Sequence, residues 1–226
     1  MHSIHGRALP LAQGVKMANK DLTVIASGGD GDGYAIGMGH TIHALRRNMN
    51  MTYIVMDNQI YGLTKGQTSP SSAKGFVTKS TPKGNIEKNV APLELALSSG
   101  ATFVAQGFSS DIKALTKMIE DAIHHDGFSF VNVFSPCVTY NKVNTYDWFK
   151  EHLTSIDDIE GYDITDKQLA MKTVLDHESL VKGIVYQDTT TPSYESQISE
   201  LEHEALAKRD IHITEETFND LTAQFL

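Results

Sequence analysis

Two periods alternate along the first 135 residues. Residues 22–27 (LTVIAS), 51–56 (MTYIVM), 102–106 (TFVAQ) and 128–134 (FSFVNVF) are short runs of β-branched, aromatic and other apolar residues, which predicts four strands. Helical candidates lie between them at residues 8–19, 35–48, 92–99 and 110–125. In the last of these Ile112, Leu115, Met118, Ile119, Ala122 and Ile123 make one apolar stripe, with Ser110 as a candidate cap and Gly127 beyond the end. Pro92 and Gly100 bracket the third in the same way. Strands alternating with helices across short turns imply an α/β fold, a doubly wound and mostly parallel sheet.

The rhythm breaks twice. Residues 64–88 are rich in Gly, Ser, Thr, Lys and Pro and have no apolar period, and a loop that long in a compact domain is usually functional. After Pro136 the pattern turns to helices and polar connections. Residues 166–175 and 215–226 are expected as amphipathic helices, 194–208 as a more polar one, and 187–192 as a linker. The expected division is an α/β domain over 1–150 and a helical C-terminal appendage over 151–226, packed on the core or on a partner. There is no internal repeat.

Composition changes this picture only by exclusion. The chain of 226 residues is 40% hydrophobic and 21% charged, ordinary for a globular protein. A formal charge of −9 argues against a nucleic-acid partner. No stretch is long and apolar enough to span a membrane, and residues 1–13 lack the apolar core of a signal peptide. The single cysteine, Cys137, excludes an intrachain disulfide and fits a reducing compartment, so a cytoplasmic location is expected.

The chemistry concentrates at Gly28-Gly29-Asp30-Gly31-Asp32-Gly33, between a predicted strand and a predicted helix. Glycines admit close approach of a ligand, and the helix start favours an anion. A dinucleotide fold is one reading, with Asp57 placed to hold a ribose. A metal-bridged diphosphate is the other. A carboxylate about 4 Å from a phosphate charge is repelled by about 4 kcal/mol at an effective dielectric near 20, and a divalent cation reverses that sign. Mg²⁺ favours one or two carboxylates with phosphate oxygens and water, so Asp30 and Asp32 favour metal. Asn58 follows Asp30 by 28 residues, across one helix and one strand. A right-handed crossover would bring both to the carboxyl edge of the sheet, with the Ile60 carbonyl as a third oxygen. The bland alternative is that Asp57-Asn58 only makes a turn.

Gly29-Asp30-Gly31 followed by Asn58 resembles the thiamine-diphosphate motif. The flanks Ile4-His5-Gly6-Arg7-Ala8-Leu9-Pro10, Asp57-Asn58-Gln59-Ile60-Tyr61-Gly62-Leu63-Thr64-Lys65-Gly66-Gln67 and Ser135-Pro136-Cys137 narrow this to a resemblance to the β subunits of 2-oxoacid:ferredoxin oxidoreductases, dense over residues 2–150. The resemblance implies Asp30, the Asn58 side chain and the Ile60 carbonyl as Mg²⁺ ligands, and Gly31, Asp32, Gly62 and Leu63 as diphosphate-binding positions. It also implies His5 against the cofactor and Lys65 as a contact for the substrate carboxylate or coenzyme A, although Lys65 alone reads equally well as a solvated loop lysine.

In the family the cysteine matching Cys137 is one ligand of a 4Fe–4S iron–sulfur cluster, with partners upstream of the His-Gly-Arg motif. One thiolate does not hold such a cluster, so the chain as given is expected to lack it. The implied activity is oxidative decarboxylation of a 2-oxoacid (2-oxoglutarate or pyruvate) to acyl-CoA, with electrons passing to ferredoxin. The α subunit is expected to supply the glutamate that activates the cofactor, so β alone is expected to be inactive. Rival readings are a thiamine-dependent decarboxylase or synthase without iron–sulfur chemistry, a nicotinamide dehydrogenase, and a catalytically silent binding module.

Overall fold

A computed structural model describes residues 1–210 and 212–225. Six strands form one sheet in the order β1-β2-β4-β3-β6-β5. β1 (Ile25–Gly29), β2 (Met51–Asp57), β4 (Phe128–Phe134) and β3 (Phe103–Phe108) are parallel neighbours. Within the same run of chain come α1 (Ala8–Ala18), α2 (Met38–Arg47), α3 (Pro92–Ser98) and α4 (Ile112–His124), close to the segments expected from the periodicity. Asp111, rather than Ser110, caps α4 by accepting the Ala114 N–H.

The sheet is covered on both faces. Leu9 and Ala12 of α1, Ala44 and Leu45 of α2, and Leu93, Ala96 and Leu97 of α3 pack on Met51, Tyr53, Val55, Phe128, Phe130 and Val104. Met118 and Ala122 of α4 pack on the opposite face against Phe103, Ala105, Val131 and Val133. These strands read as near-continuous apolar runs because both of their faces are buried. α5 (Tyr146–His152) closes one end, its Phe149 ring stacked on Phe134 at 4.4 Å.

The segment after residue 150 departs from a helical appendage. It contributes β5 (Thr154–Ser155) and β6 (Val181–Gln187) to the same sheet, with β6 antiparallel to β3. β3 has an edge to satisfy, and Val181 and Val185 fill the core beneath it together with Ala170 and Val174 of α6 (Lys167–Asp176). Residues 194–208 form three short 3₁₀ turns rather than a helix. Long-range contacts outcompete helix there. The Asn50 N–H donates to the Glu195 carboxylate at 3.1 Å, Lys16 lies 3.8 Å from it, and the Tyr194 N–H donates to the Asn48 carbonyl at 3.0 Å. α7 (Glu215–Ala223) occupies the expected position, and Leu226 lies outside the described residues. No helix among the described residues is long and apolar enough to cross a membrane.

Asn48 ties these parts together. It ends α2 at φ 54°, a left-handed conformation that Asn tolerates better than most residues. Its Oδ1 accepts from the Thr102 hydroxyl at 2.6 Å and the Phe128 N–H at 2.8 Å, and its Nδ2 donates to the Pro192 carbonyl at 3.1 Å. Asn48→Ala strands the buried Phe128 N–H and takes a partner from the Thr102 hydroxyl and the Pro192 carbonyl, a loss of about 2–4 kcal/mol. The melting temperature is expected to fall by roughly 5–15 °C. A calorimetric melt within a degree or two of the parent would show that other contacts hold this junction.

Candidate functional site

Two adjacent strand tips carry the acids. β1 and β2 run in register, Gly29 beside Met56, so the residues that follow them emerge together at the carboxyl edge. Asp30 and Gly31 open a helical turn that continues as a π turn over Asp32–Ile36, closed by Gly37 N–H to the Asp32 carbonyl at 2.9 Å, and then enters α2. Such π turns recur at functional sites. Gly31 must be glycine because a Cβ would overlap the Tyr61 ring.

Asp30 and Asp57 are both buried, and neither has a cationic side chain in contact among the described residues. They are joined instead by neutral groups. Asp30 Oδ2 accepts from Ser69 Oγ at 2.5 Å and from Ser71 Oγ at 2.6 Å, and Ser71 Oγ also lies 2.8 Å from Asp57 Oδ1. A hydroxyl carries one proton. Ser71 can donate to only one of the two acids at a time, so the pair competes for a single proton donor. Burial raises Asp30 above the usual carboxylate range, partly offset by the two serines. Burial, and then the neighbouring charge of Asp30, push Asp57 up to about 7.

Behind the acids a buried polar chain crosses the sheet. Asn132 Nδ2 donates to Gln106 Oε1 at 2.9 Å and, more weakly, to Asp57 Oδ2 at 3.4 Å. The Tyr34 hydroxyl donates to Asn132 Oδ1 at 2.7 Å. Gln106 Nε2 donates to the carbonyls of Ser179 and Val181, both at 2.7 Å. Asp57 is therefore turned inward and is not free to hold a ribose, which removes the motive for a dinucleotide reading.

A cavity of about 760 Å³ opens in front of Asp30. Its lining brings together His5, Asp30, Gly31, Asp32, Asn58, Ile60, Gly62 and Leu63. Asn58 does make the turn anticipated as the bland alternative, since its Oδ1 accepts the Ile60 N–H at 3.0 Å, yet it still borders the cavity. Leu63 is 99% exposed, so only its backbone faces a ligand in a defined way. Asp32 Oδ1 accepts the Gly6 N–H at 2.6 Å and lies 3.0 Å from His5 Nδ1, so its carboxylate latches the His-Gly-Arg segment. Gly6, at φ +74°, has no room for a Cβ, which would meet Ile36 Cγ2 at 2.6 Å. Lys65 is not among the residues lining the cavity. It sits exposed at φ 76° in a tight turn closed by Gly66 N–H to the Tyr61 carbonyl at 2.8 Å. Cys137 is partly buried behind that turn, with its Sγ 3.8 Å from where a Cβ on Gly62 would lie.

The donor set suits a hard divalent cation carrying a diphosphate. It offers a buried carboxylate that lacks a counter-ion, an amide oxygen and a nearby carbonyl, with open backbone at Gly62. Among the described residues no group of three His, Cys, Asp or Glu side chains could hold a metal alone, so a ligand would have to complete the shell. Sequence reasoning misses Ser69, Ser71 and Asn132, and it offers Asp57 only as a ribose contact. The legible signals were a polar residue inside the FSFVNVF run and a serine cluster in the long loop.

The acids give the metal-free chain a defined pH response. Asp57 is held near 7 when folded against 3.8 ordinarily. Its contribution to stability is thus fully present below about pH 4 and is lost as pH rises toward 7, at about 1.4 kcal/mol per unit. In chelator, Asp57→Asn should flatten the fall in melting temperature between pH 4 and 7 and should melt above the parent at pH 8. Parallel curves for parent and variant would refute this assignment.

Known proteins share the fold and much of the sequence. Residues 1–133 match the family model "Thiamine pyrophosphate enzyme, C-terminal TPP binding domain", and residues 137–203 match the model for the C-terminal part of the pyruvate ferredoxin oxidoreductase beta subunit. The 2-oxoacid:ferredoxin oxidoreductase subunit beta of a Sulfolobus species is 42% identical over 88% of this chain and 68% of its own. The 2-oxoglutarate oxidoreductase subunit KorB of Mycobacterium tuberculosis is 48% identical over 62% of this chain and 38% of its own. A solved structure, 2-oxoglutarate:ferredoxin oxidoreductase from Magnetococcus marinus with 2-oxoglutarate, coenzyme A and succinyl-CoA bound, superposes with a TM-score of 0.87 at 37% identity. It covers 98% of this chain and 75% of that one. The chain belongs to the β subunits of the 2-oxoacid:ferredoxin oxidoreductases and carries their thiamine-diphosphate-binding domain.

Proposed function

We propose that this subunit holds thiamine diphosphate through Mg²⁺ for the oxidative decarboxylation of 2-oxoglutarate to an acyl-CoA. The observation that carries the reading is the buried Asp30 carboxylate at the cavity wall, with the buried Asp57 behind it and no cationic side chain in contact with either among the described residues. Asp30, the Asn58 side chain and the Ile60 carbonyl hold the ion. Backbone at Gly31, Asp32, Gly62 and Leu63 receives the diphosphate, and the Asp32 carboxylate stays engaged with His5 and Gly6. When bound, thiamine diphosphate supplies the carbon nucleophile and the electron sink that a 2-oxoacid needs to lose carbon dioxide.

The chain's own residues position and polarise. Asp32 orients His5 at the cavity, where the imidazole lies against the cofactor. Lys65 and Arg7 supply local positive charge to an otherwise acidic protein, and so draw in the anionic 2-oxoacid and coenzyme A. The choice of 2-oxoglutarate over pyruvate follows the relatives named for 2-oxoglutarate. The site is completed by the α subunit. Ferredoxin accepts the two electrons singly. Cys137 offers one thiolate to a 4Fe–4S cluster, and the other ligands have to come from outside this sequence. With one cysteine and no disulfide, the compartment is the cytoplasm.

Calorimetry of thiamine diphosphate should give binding that requires Mg²⁺ and that Asp30→Ala abolishes. Metal-independent binding would overturn the cation reading. With the α subunit added, 2-oxoglutarate-dependent reduction of a dye is expected, and none from the β chain alone. Tight cofactor binding without turnover in the reconstituted pair would make this chain a silent binding module.

A further inference from the structure

The long loop after the cation site reaches back into it. Ser69 and Ser71 come from residues 64–88, yet both are buried, and both direct their hydroxyls at the same oxygen of Asp30. This corner of the loop is itself rigidly held. The Ser69 N–H donates to Ser72 Oγ at 2.9 Å, Ser72 Oγ donates to the Gln59 carbonyl at 2.6 Å, and the Val90 N–H donates to the Pro70 carbonyl at 2.8 Å. Pro70, between the two serines, fixes its own φ and removes a donor from a crowded corner. The backbone that carries the two hydroxyls is therefore held in place beside the carboxylate.

Two donors on Oδ2 set the plane of the Asp30 carboxylate and occupy that oxygen. Both serine hydroxyls fall on Oδ2, the backbone at Asp30 and Gly31 also hydrogen-bonds the carboxylate, and Asp30 lines the cavity. Ser71 is in addition the link to Asp57, so the two acids stand one hydroxyl apart instead of in direct contact. Residues that orient a metal's ligands from behind tune its affinity without touching it.

We propose that Ser71, assisted by Ser69, is a positioning residue for the cation site, fixing the orientation of the Asp30 carboxylate at the cavity wall and keeping Asp57 at a fixed remove. This rests on the Mg²⁺ reading above. It adds that the affinity for the ion is set by a loop 39 and 41 residues away in sequence. If the serines only anchored the loop, removing one would expose the lysines of residues 64–88 to trypsin and leave metal affinity unchanged.

The test uses Mn²⁺ as the probe, titrated in the presence of thiamine diphosphate and read by electron paramagnetic resonance, on the unsubstituted chain, Ser71→Ala and Ser69→Ala. Ser71→Ala is expected to weaken Mn²⁺ binding by about ten- to hundredfold, with thiamine diphosphate affinity restored at saturating Mn²⁺, which Asp30→Ala does not achieve at any Mn²⁺ concentration. Ser69→Ala should weaken it less, because Ser71, the link between Asp30 and Asp57, stays in place. Circular dichroism checks folding, and if Ser71→Ala fails to fold, Ser69→Ala decides the matter alone. Unchanged Mn²⁺ affinity in the folded variants overturns the inference and leaves the cation reading standing. No Mn²⁺ binding by the unsubstituted chain overturns the cation reading itself, and the inference with it.

Discussion

The structure is organised around placing two acids in its interior. Asp30 and Asp57 sit at neighbouring tips of parallel strands, where backbones run about 4.8 Å apart and water is scarce. Burying one carboxylate without a partner is costly, and burying two side by side is costlier. Much of what is unusual in the chain offsets that cost. The serine corner supplies neutral donors to the acids, and Asn132 and Gln106 extend the network through the sheet to the turn before β6. The sheet thus carries a polar seam across strands that are otherwise apolar on both faces.

The elements flanking this seam were largely legible from the residues alone. Strand runs such as FSFVNVF and the apolar stripe of α4 carry their period locally, and the crossover argument that brings Asp30 and Asn58 to one cavity needs only handedness and spacing. Asp57 was harder. In sequence it is half of an Asp-Asn pair that reads as a turn, and nothing near it announces the inward rotation that pairs it with Ser71. Ser69 and Ser71 lie in a stretch with no period, and hydrogen bonds between remote segments leave no trace in periodicity. β6 was missed for a similar reason. Its glycine and lysine dilute the strand signal, and its place is fixed by the need of β3 for a neighbour. Residues 194–208 have helical composition, but Glu195 is drawn to Asn50 and Lys16, and that contact outweighs propensity.

Asp32 illustrates how a motif can divide its labour. Motif matching groups it with the phosphate-binding positions, yet its carboxylate grips the Gly6 N–H and His5. The glycine–aspartate loop and the His-Gly-Arg segment are consequently one unit, pressed together where Gly6 lies too close to Ile36 and Gly37 for any side chain. Two separate sequence signatures turn out to be the two halves of a single contact. Motifs spaced along a chain are more specific together than apart when the fold presses them into one another.

The two borders of the sheet are unlike. On one side β6 and the two-residue β5 shield β3, and a border strand that short offers little for another chain to pair with. On the other side β1 ends the sheet with an uncharged strand, IASGG, whose residues also line the cavity. Growth of this sheet therefore has one direction open to it, and any polypeptide that extends it there also becomes a wall of the cavity in front of Asp30.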